Sequence, residues 1–238
     1  MSLMPAEGQV RMSRHGGDTG MTSTVNSKTT VALAGTLVLA GACWVVAVRQ
    51  MSGMDMGAST ELGSFAFFIA AWVPMMAAMM LPGAVPAVSR VVHADGRVLD
   101  APAFAVAYLA VWTLIGLAVY ALYEPHSTEA AGALAITAGL YELTPLKGRC
   151  RRRCRSSMRS GFRFGLYCVG SSIGLMVLFL ALGVMSVTWM VAVAAIVVAQ
   201  KVLPPRATVD VPLALAIVGL GILILVDPSA IPGLSQSM

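Results

Sequence analysis

Lys147–Arg163 reads KGRCRRRCRSSMRSGFR, holds eight of the chain's sixteen Lys and Arg residues, and is surrounded almost entirely by apolar sequence. A basic segment between long hydrophobic runs stays on the cytoplasmic side of a membrane, so it orients every other segment. Four apolar runs precede it: Thr30–Val48, Phe65–Val88, Ala101–Leu122 and Ala130–Leu146. Three follow: Phe164–Val184, Val187–Val202 and Val211–Val226. A membrane-crossing helix needs about 20 apolar residues, so the fourth, sixth and seventh runs are short spans. The fifth and sixth are separated by so few residues that they form a tight helical hairpin.

Loop charges test this division. With the N-terminus in the cytoplasm and sides alternating, all of the sixteen Lys and Arg fall inside except Arg49. Asp55, Glu61, Glu124, Glu129 and Asp227 fall outside. Retention of positive residues is the expected bias, and one span more or fewer would scatter them. The reading is therefore an all-α, polytopic membrane helical bundle of about seven transmembrane helices, N-terminus in and C-terminus out. Residues 1–29, rich in Ser, Thr and Gly, read as a disordered cytoplasmic tail. Residues 30–226 form the transmembrane domain with a basic cytoplasmic loop at 147–163, and 227–238 a short extracytoplasmic tail. The localisation this implies is a bacterial cytoplasmic (inner) membrane, multi-pass.

Composition excludes other classes. The chain of 238 residues is 58% hydrophobic and 11% charged, whereas soluble domains are nearer a quarter charged. A soluble core of this size could not hide so much apolar surface. The net charge of +5 belongs to membrane-flanking segments, where anionic headgroups and not nucleic acid are the natural partner. Four Cys are too few and too scattered for a disulfide scaffold. No HExxH, phosphate-binding glycine loop or nucleophile elbow is present, and the three histidines do not pair at metal spacing. Nothing points to an enzyme.

The residues that could carry chemistry are soft ligands. Met51, Met54 and Met56 crowd the outer loop after the first run, with Asp55 among them. Thioethers do not titrate, and they select Cu(I). In the second run, Trp72–Pro82 reads WVPMMAAMMLP. Helical spacing puts Met75 with Met79 on one stripe and Met76 with Met80 on the next. A methionine stripe also packs irregular cores well. Pro74 and Pro82 free backbone carbonyls that neighbours must satisfy. Glu142 is the one acidic residue placed inside a span. A carboxylate there is functional, or paired with Lys147 or an Arg of the next loop. Cys150 and Cys154 share a face if the helix continues. The flanking arginines should lower their pKa toward the metal-binding thiolate. Cys168 lies about one turn into the fifth run, at the depth of Glu142 and Gln200. Small residues Gly132, Gly139, Gly170, Gly174 and Gly183 should let helices approach closely.

Trp72 and Met75, Ala78-Met79-Met80-Leu81-Pro82, then Tyr141-Glu142-Leu143-Thr144-Pro145-Leu146-Lys147 with Cys150 and Cys154, and Gly165-Leu166-Tyr167-Cys168-Val169-Gly170 resemble an uncharacterised bacterial family. It is identified as predicted metal-binding integral membrane proteins, a domain of unknown function loosely linked to copper handling. The resemblance covers roughly residues 30 to 204. It departs at two places. The family often continues past the glycine matching Gly170 with cysteines and a tryptophan, where this chain has Ser171, Ser172 and Ile173. The family also often has Glu-Lys where this chain has Gln200-Lys201.

Together these readings give an integral membrane protein that binds or handles a soft metal ion, Cu(I), through Met51, Met54, Met56, Met75, Met79, Met80, Glu142, Cys150, Cys154 and Cys168. No other cofactor is implied. Its partners would be the bilayer, anionic headgroups at the basic loop, and a metallochaperone or membrane-complex subunit. The competing reading is a non-catalytic structural or assembly subunit of a membrane complex, with a degenerate metal site.

Overall fold

The computed structural model describes residues 18–52, 63–95, 97–123, 127–156, 160–183, 186–203 and 207–227. Among them the chain is all-α, with eight helices: α1 (Asp18–Met51), α2 (Phe65–Asp95), α3 (Asp100–Leu122), α4 (Thr128–Glu142), α5 (Pro145–Arg155), α6 (Gly161–Leu182), α7 (Val187–Val202) and α8 (Ala207–Val226). Five of these, α1, α2, α3, α6 and α8, are long and apolar enough to cross a membrane; α7 is a shorter apolar helix. At 15 and 16 residues, α4 and α7 extend about 22 and 24 Å, against a hydrocarbon thickness of about 30 Å. Helix α1 starts at Asp18, upstream of the apolar run that begins at Thr30.

The apolar run Ala130–Leu146 does not form one helix. Pro145 has no N–H to give the Tyr141 carbonyl, so the α-helical ladder stops there. That carbonyl instead accepts from the Thr144 backbone N–H at 2.9 Å and the Thr144 hydroxyl at 2.7 Å. Thr144 then caps the next helix, its hydroxyl oxygen accepting from the Lys147 N–H at 3.4 Å, with Pro145 in the first turn. The basic segment is thus not a plain loop: its first half is helix α5, packed along α6.

Packing defines a ring. Helix α2 touches α3, α3 touches α6, α6 touches α7, and α7 returns to α2. Helix α1 lies against α2 outside this ring, α4 against α6, and α8 against α4. Pro74, Pro82 and Pro86 lie inside α2 without ending it. Pro82 leaves the Ala78 carbonyl without its helical donor, and the Trp44 indole N–H of α1 supplies one at 3.1 Å. The Trp72 indole N–H reaches from α2 to the Trp112 carbonyl of α3 at 3.0 Å.

The small residues act where helices meet. A Cβ on Gly139 would lie 2.6 Å from Val218 Cγ2, and one on Gly132 the same distance from Leu225 Cγ, so α4 and α8 touch almost backbone to backbone. Gly170 admits the Cys150 sulfur, and Gly174 admits a Glu142 oxygen. Gly183 acts through its backbone instead, ending α6 at φ 110°, a conformation that side chains rarely adopt.

Candidate metal centre

Each helix of the ring sends one polar or sulfur-bearing side chain to a common point. Met80 comes from α2, Tyr108 from α3, Cys168 from α6 and Lys201 from the last turn of α7. Lys201 Nζ lies 2.9 Å from Cys168 Sγ, 3.1 Å from Tyr108 Oη and 3.8 Å from Met80 Sδ. Tyr108 Oη and Cys168 Sγ are 3.0 Å apart. Either the tyrosine O–H or the thiol S–H donates across this contact. Met80, Tyr108 and Cys168 are fully buried. Gly83, one turn beyond Met80, has no side chain and leaves room for the lysine stem.

One buried thiol continues the site. Cys154 of α5 faces the same interior, close enough to Cys168 and Lys201 to feel both electrostatically. Burial pushes the Cys154 thiol up to about 12, Cys168 adds to the rise, and Lys201 and the Ser171 hydroxyl only partly oppose it. The arginine-rich sequence suggests a lowered pKa, and for Cys154 the structure reverses this. The sulfur is buried, and desolvation of the anion outweighs the nearby positive charge.

Glu142 belongs to a second, adjoining cluster. Its carboxylate is buried and pairs through Oε2 with Lys147, itself only 2% exposed. Gln200 Nε2 donates to the same oxygen at 2.8 Å. Oε1 is buried beside Gly174 without a hydrogen-bond partner. Arg151 crosses from α5 to hold the end of α7, donating to the Gln200 carbonyl at 2.7 Å and the Leu203 carbonyl at 3.1 Å, and it pairs with Asp210 of α8. Neighbours in sequence, Gln200 and Lys201 therefore serve different clusters: one faces the carboxylate, the other the sulfurs.

The ten residues singled out in the sequence separate accordingly. Met80 and Cys168 meet, with Cys154 next to them. Glu142 lies in the ion-paired cluster. Cys150 packs against Gly170 and borders a surface groove with Arg149, Arg153 and Tyr167. Met79 faces α1 and α7, lining a groove with Trp44 and Val191. Met51 and Met75 are buried, and Met54 and Met56 lie outside the described residues. Among the described residues no three His, Cys, Asp or Glu side chains form a metal cage. The sulfur site is a mixed one, built from a thiol, a thioether and a phenol. Sequence reasoning missed Tyr108 and took Lys201 only as a cytoplasmic charge and as the residue after Gln200 in the family comparison, not as part of the site. The available signal was a tyrosine in mid-span and a lysine before the helix end, both polar tips on otherwise apolar helices.

Among the described residues the protein is all-α, with apolar helices, five of them long enough to cross a membrane, and a cluster of buried thiol, thioether and phenol side chains around the Lys201 amine. Residues 69–224 match the family described as PpoB2, copper chaperone, and the chain belongs to that family. No curated protein and no solved structure gives a significant match.

Proposed function

We propose that this protein is a multi-pass protein of the bacterial cytoplasmic membrane that binds Cu(I) as cargo at the Met80–Cys168 site. The observation that carries this reading is the meeting of two sulfurs and a phenol from three helices around one cation. A thiolate and a thioether are soft donors, and both sulfurs are buried, which suits Cu(I) over harder divalent ions. The Lys201 ammonium stands among these donors, where a monovalent ion would bind. Cys154 supplies the next sulfur toward α5. Met75 and Met79, with Met51, Met54 and Met56 at the far end of α1 and beyond, would form the approach from the other face. Glu142 and Cys150 are assigned supporting places in the inner half.

The orientation follows from charge. Arg90 from the end of α2, Arg151 and Arg155 from α5 and Lys201 from α7 border one cavity, and Thr29 of α1 bonds His93 of α2 at 3.1 Å near the same end. The gathering of positive residues at one end supports a cytoplasmic placement for it, with seven spans in which α4 and α7 cross as short helices.

The test is copper stoichiometry in detergent-purified protein. The Met80→Leu/Cys168→Ser double variant should lose bound Cu(I), while Cys43→Ser, a thiol elsewhere on α1, should retain it. Equal copper in the wild type and the double variant would overturn the assignment. One observation favours a second reading, a structural or assembly subunit with a degenerate site: Lys201 and the Glu142–Lys147 pair already satisfy much of the buried chemistry. In that case no protein preparation carries copper above background, and the chain co-purifies with a partner.

A further inference from the structure

The sulfur site opens toward α5 through a cavity of ≈ 230 Å³. Arg90, Arg151, Arg155 and Lys201 border it, with Cys154 and Ser171, and among the described residues no carboxylate lines it. Asp210 balances Arg151. Among the described residues Arg90, Arg155 and Lys201 make no ion pair, and Arg90 Nε is buried without a hydrogen-bond partner. Arg155 spends one nitrogen on the Val202 and Leu203 carbonyls, which anchors it beside the opening. Three unbalanced cations beside low-dielectric walls focus a strong positive potential on a small space. A thiol sits within it, and Lys201 connects it to Met80 and Cys168.

Resting on the copper reading above, we propose that this cavity receives Cu(I) as an anionic complex with a small carboxylated thiol. The cations would bind the carrier's carboxylates while Cys154 takes the ion. A phosphate headgroup would satisfy the arginines but gain nothing from the sulfur, whereas a copper–thiolate complex uses both.

The exchange is a ligand substitution. One bond between Cu(I) and a carrier sulfur breaks, and one to Cys154 Sγ forms. The Cys154 proton leaves on the released carrier thiol, and copper stays Cu(I) throughout. The carrier's carboxylates also offer the Lys201 ammonium a partner inside the cavity, which draws it off Cys168 and opens the deeper site.

The experiment compares Cu(I) transfer to full-length apoprotein in nanodiscs of uncharged lipid, from the Cu(I)–glutathione complex and from the Cu(I)–2-mercaptoethanol complex. The anionic donor should load the protein at least about 10-fold faster at low salt, within the range of electrostatic steering. Arg90→Gln and Arg155→Gln should each shrink that advantage. Equal rates from both donors would overturn the cavity assignment while leaving copper binding intact. Loss of the advantage on adding phosphatidylglycerol to the nanodisc would assign the cavity to a lipid headgroup and overturn it too. Loading from neither donor would instead sink the copper reading itself.

Discussion

The Lys201 ammonium lies 2.9 Å from the Cys168 sulfur, inside the ring of helices and next to a second sulfur from Met80. A lysine in that place is a tethered cation among soft donors, and on the proposed reading an arriving copper ion must displace it. Lys201→Met should therefore tighten Cu(I) binding about 10-fold or more, since a hydrogen bond to a charged group contributes about 1.5–3 kcal/mol. Competition with a Cu(I) chelator measures this. Unchanged or weaker affinity in a variant that melts like wild type would remove the lysine from the ion's position.

Lys147 and Glu142 are both buried and face each other. Lys147→Met leaves a buried carboxylate with Gln200 as its remaining partner and should cost about 3–5 kcal/mol. Glu142→Gln in the same chain should restore most of that loss. A double-mutant cycle on thermal unfolding in detergent checks it; additive losses would show that the two side chains do not interact.

Gly139 is where α4 and α8 touch, with Val218 Cγ2 2.6 Å and the Val218 backbone nitrogen 2.9 Å from the position of a Cβ. Gly139→Ala forces the pair apart and should destabilise by about 1–3 kcal/mol. Faster hydrogen exchange in α8 is the expected readout. Gly219, where an added Cβ meets nothing within 4 Å, provides the control substitution.

Cys154, with its thiol pushed up to about 12 chiefly by burial, should remain protonated well past neutral pH. A variant keeping only this cysteine should react with iodoacetamide far more slowly than a free thiol from about pH 7 to 10, with a rate still rising at the top of that range. A plateau near the ordinary thiol pKa of about 8.5 would show the sulfur to be solvated.

Sidedness is checked by labelling. A cysteine introduced at Ser52, just past the end of α1, should react with a membrane-impermeant maleimide in intact spheroplasts. One at Ser156, just past α5, should react only after permeabilisation. The reverse pattern would invert the proposed topology.

Much of this was legible in the chain. The all-α class followed from apolar runs too long for strands, and the need for a neighbour to serve a proline-freed carbonyl was met at Ala78 by Trp44. Lys147 was among the partners expected for Glu142, and four of the five small glycines lie at close helix contacts. The break at Leu143 was less visible, because Thr144-Pro145 sits near the end of a run that reads as one short span. The Cys154 pKa ran opposite to expectation because charge counting along the sequence ignores which way the sulfur points. Tyr108 escaped notice and Lys201 was not read as a site residue, because each is ordinary in its own segment.

By itself the sequence determined the chemistry on offer: apolar helices, a basic cluster on one side, and a supply of thioethers and thiols. These are properties of composition and period, and each can be read along one segment. Only the tertiary structure decided that Met80, Cys168 and Tyr108 meet around Lys201 while Glu142 pairs elsewhere. Which faces of α2, α3, α6 and α7 turn inward depends on how the four helices close on one another, and no single helix carries that information.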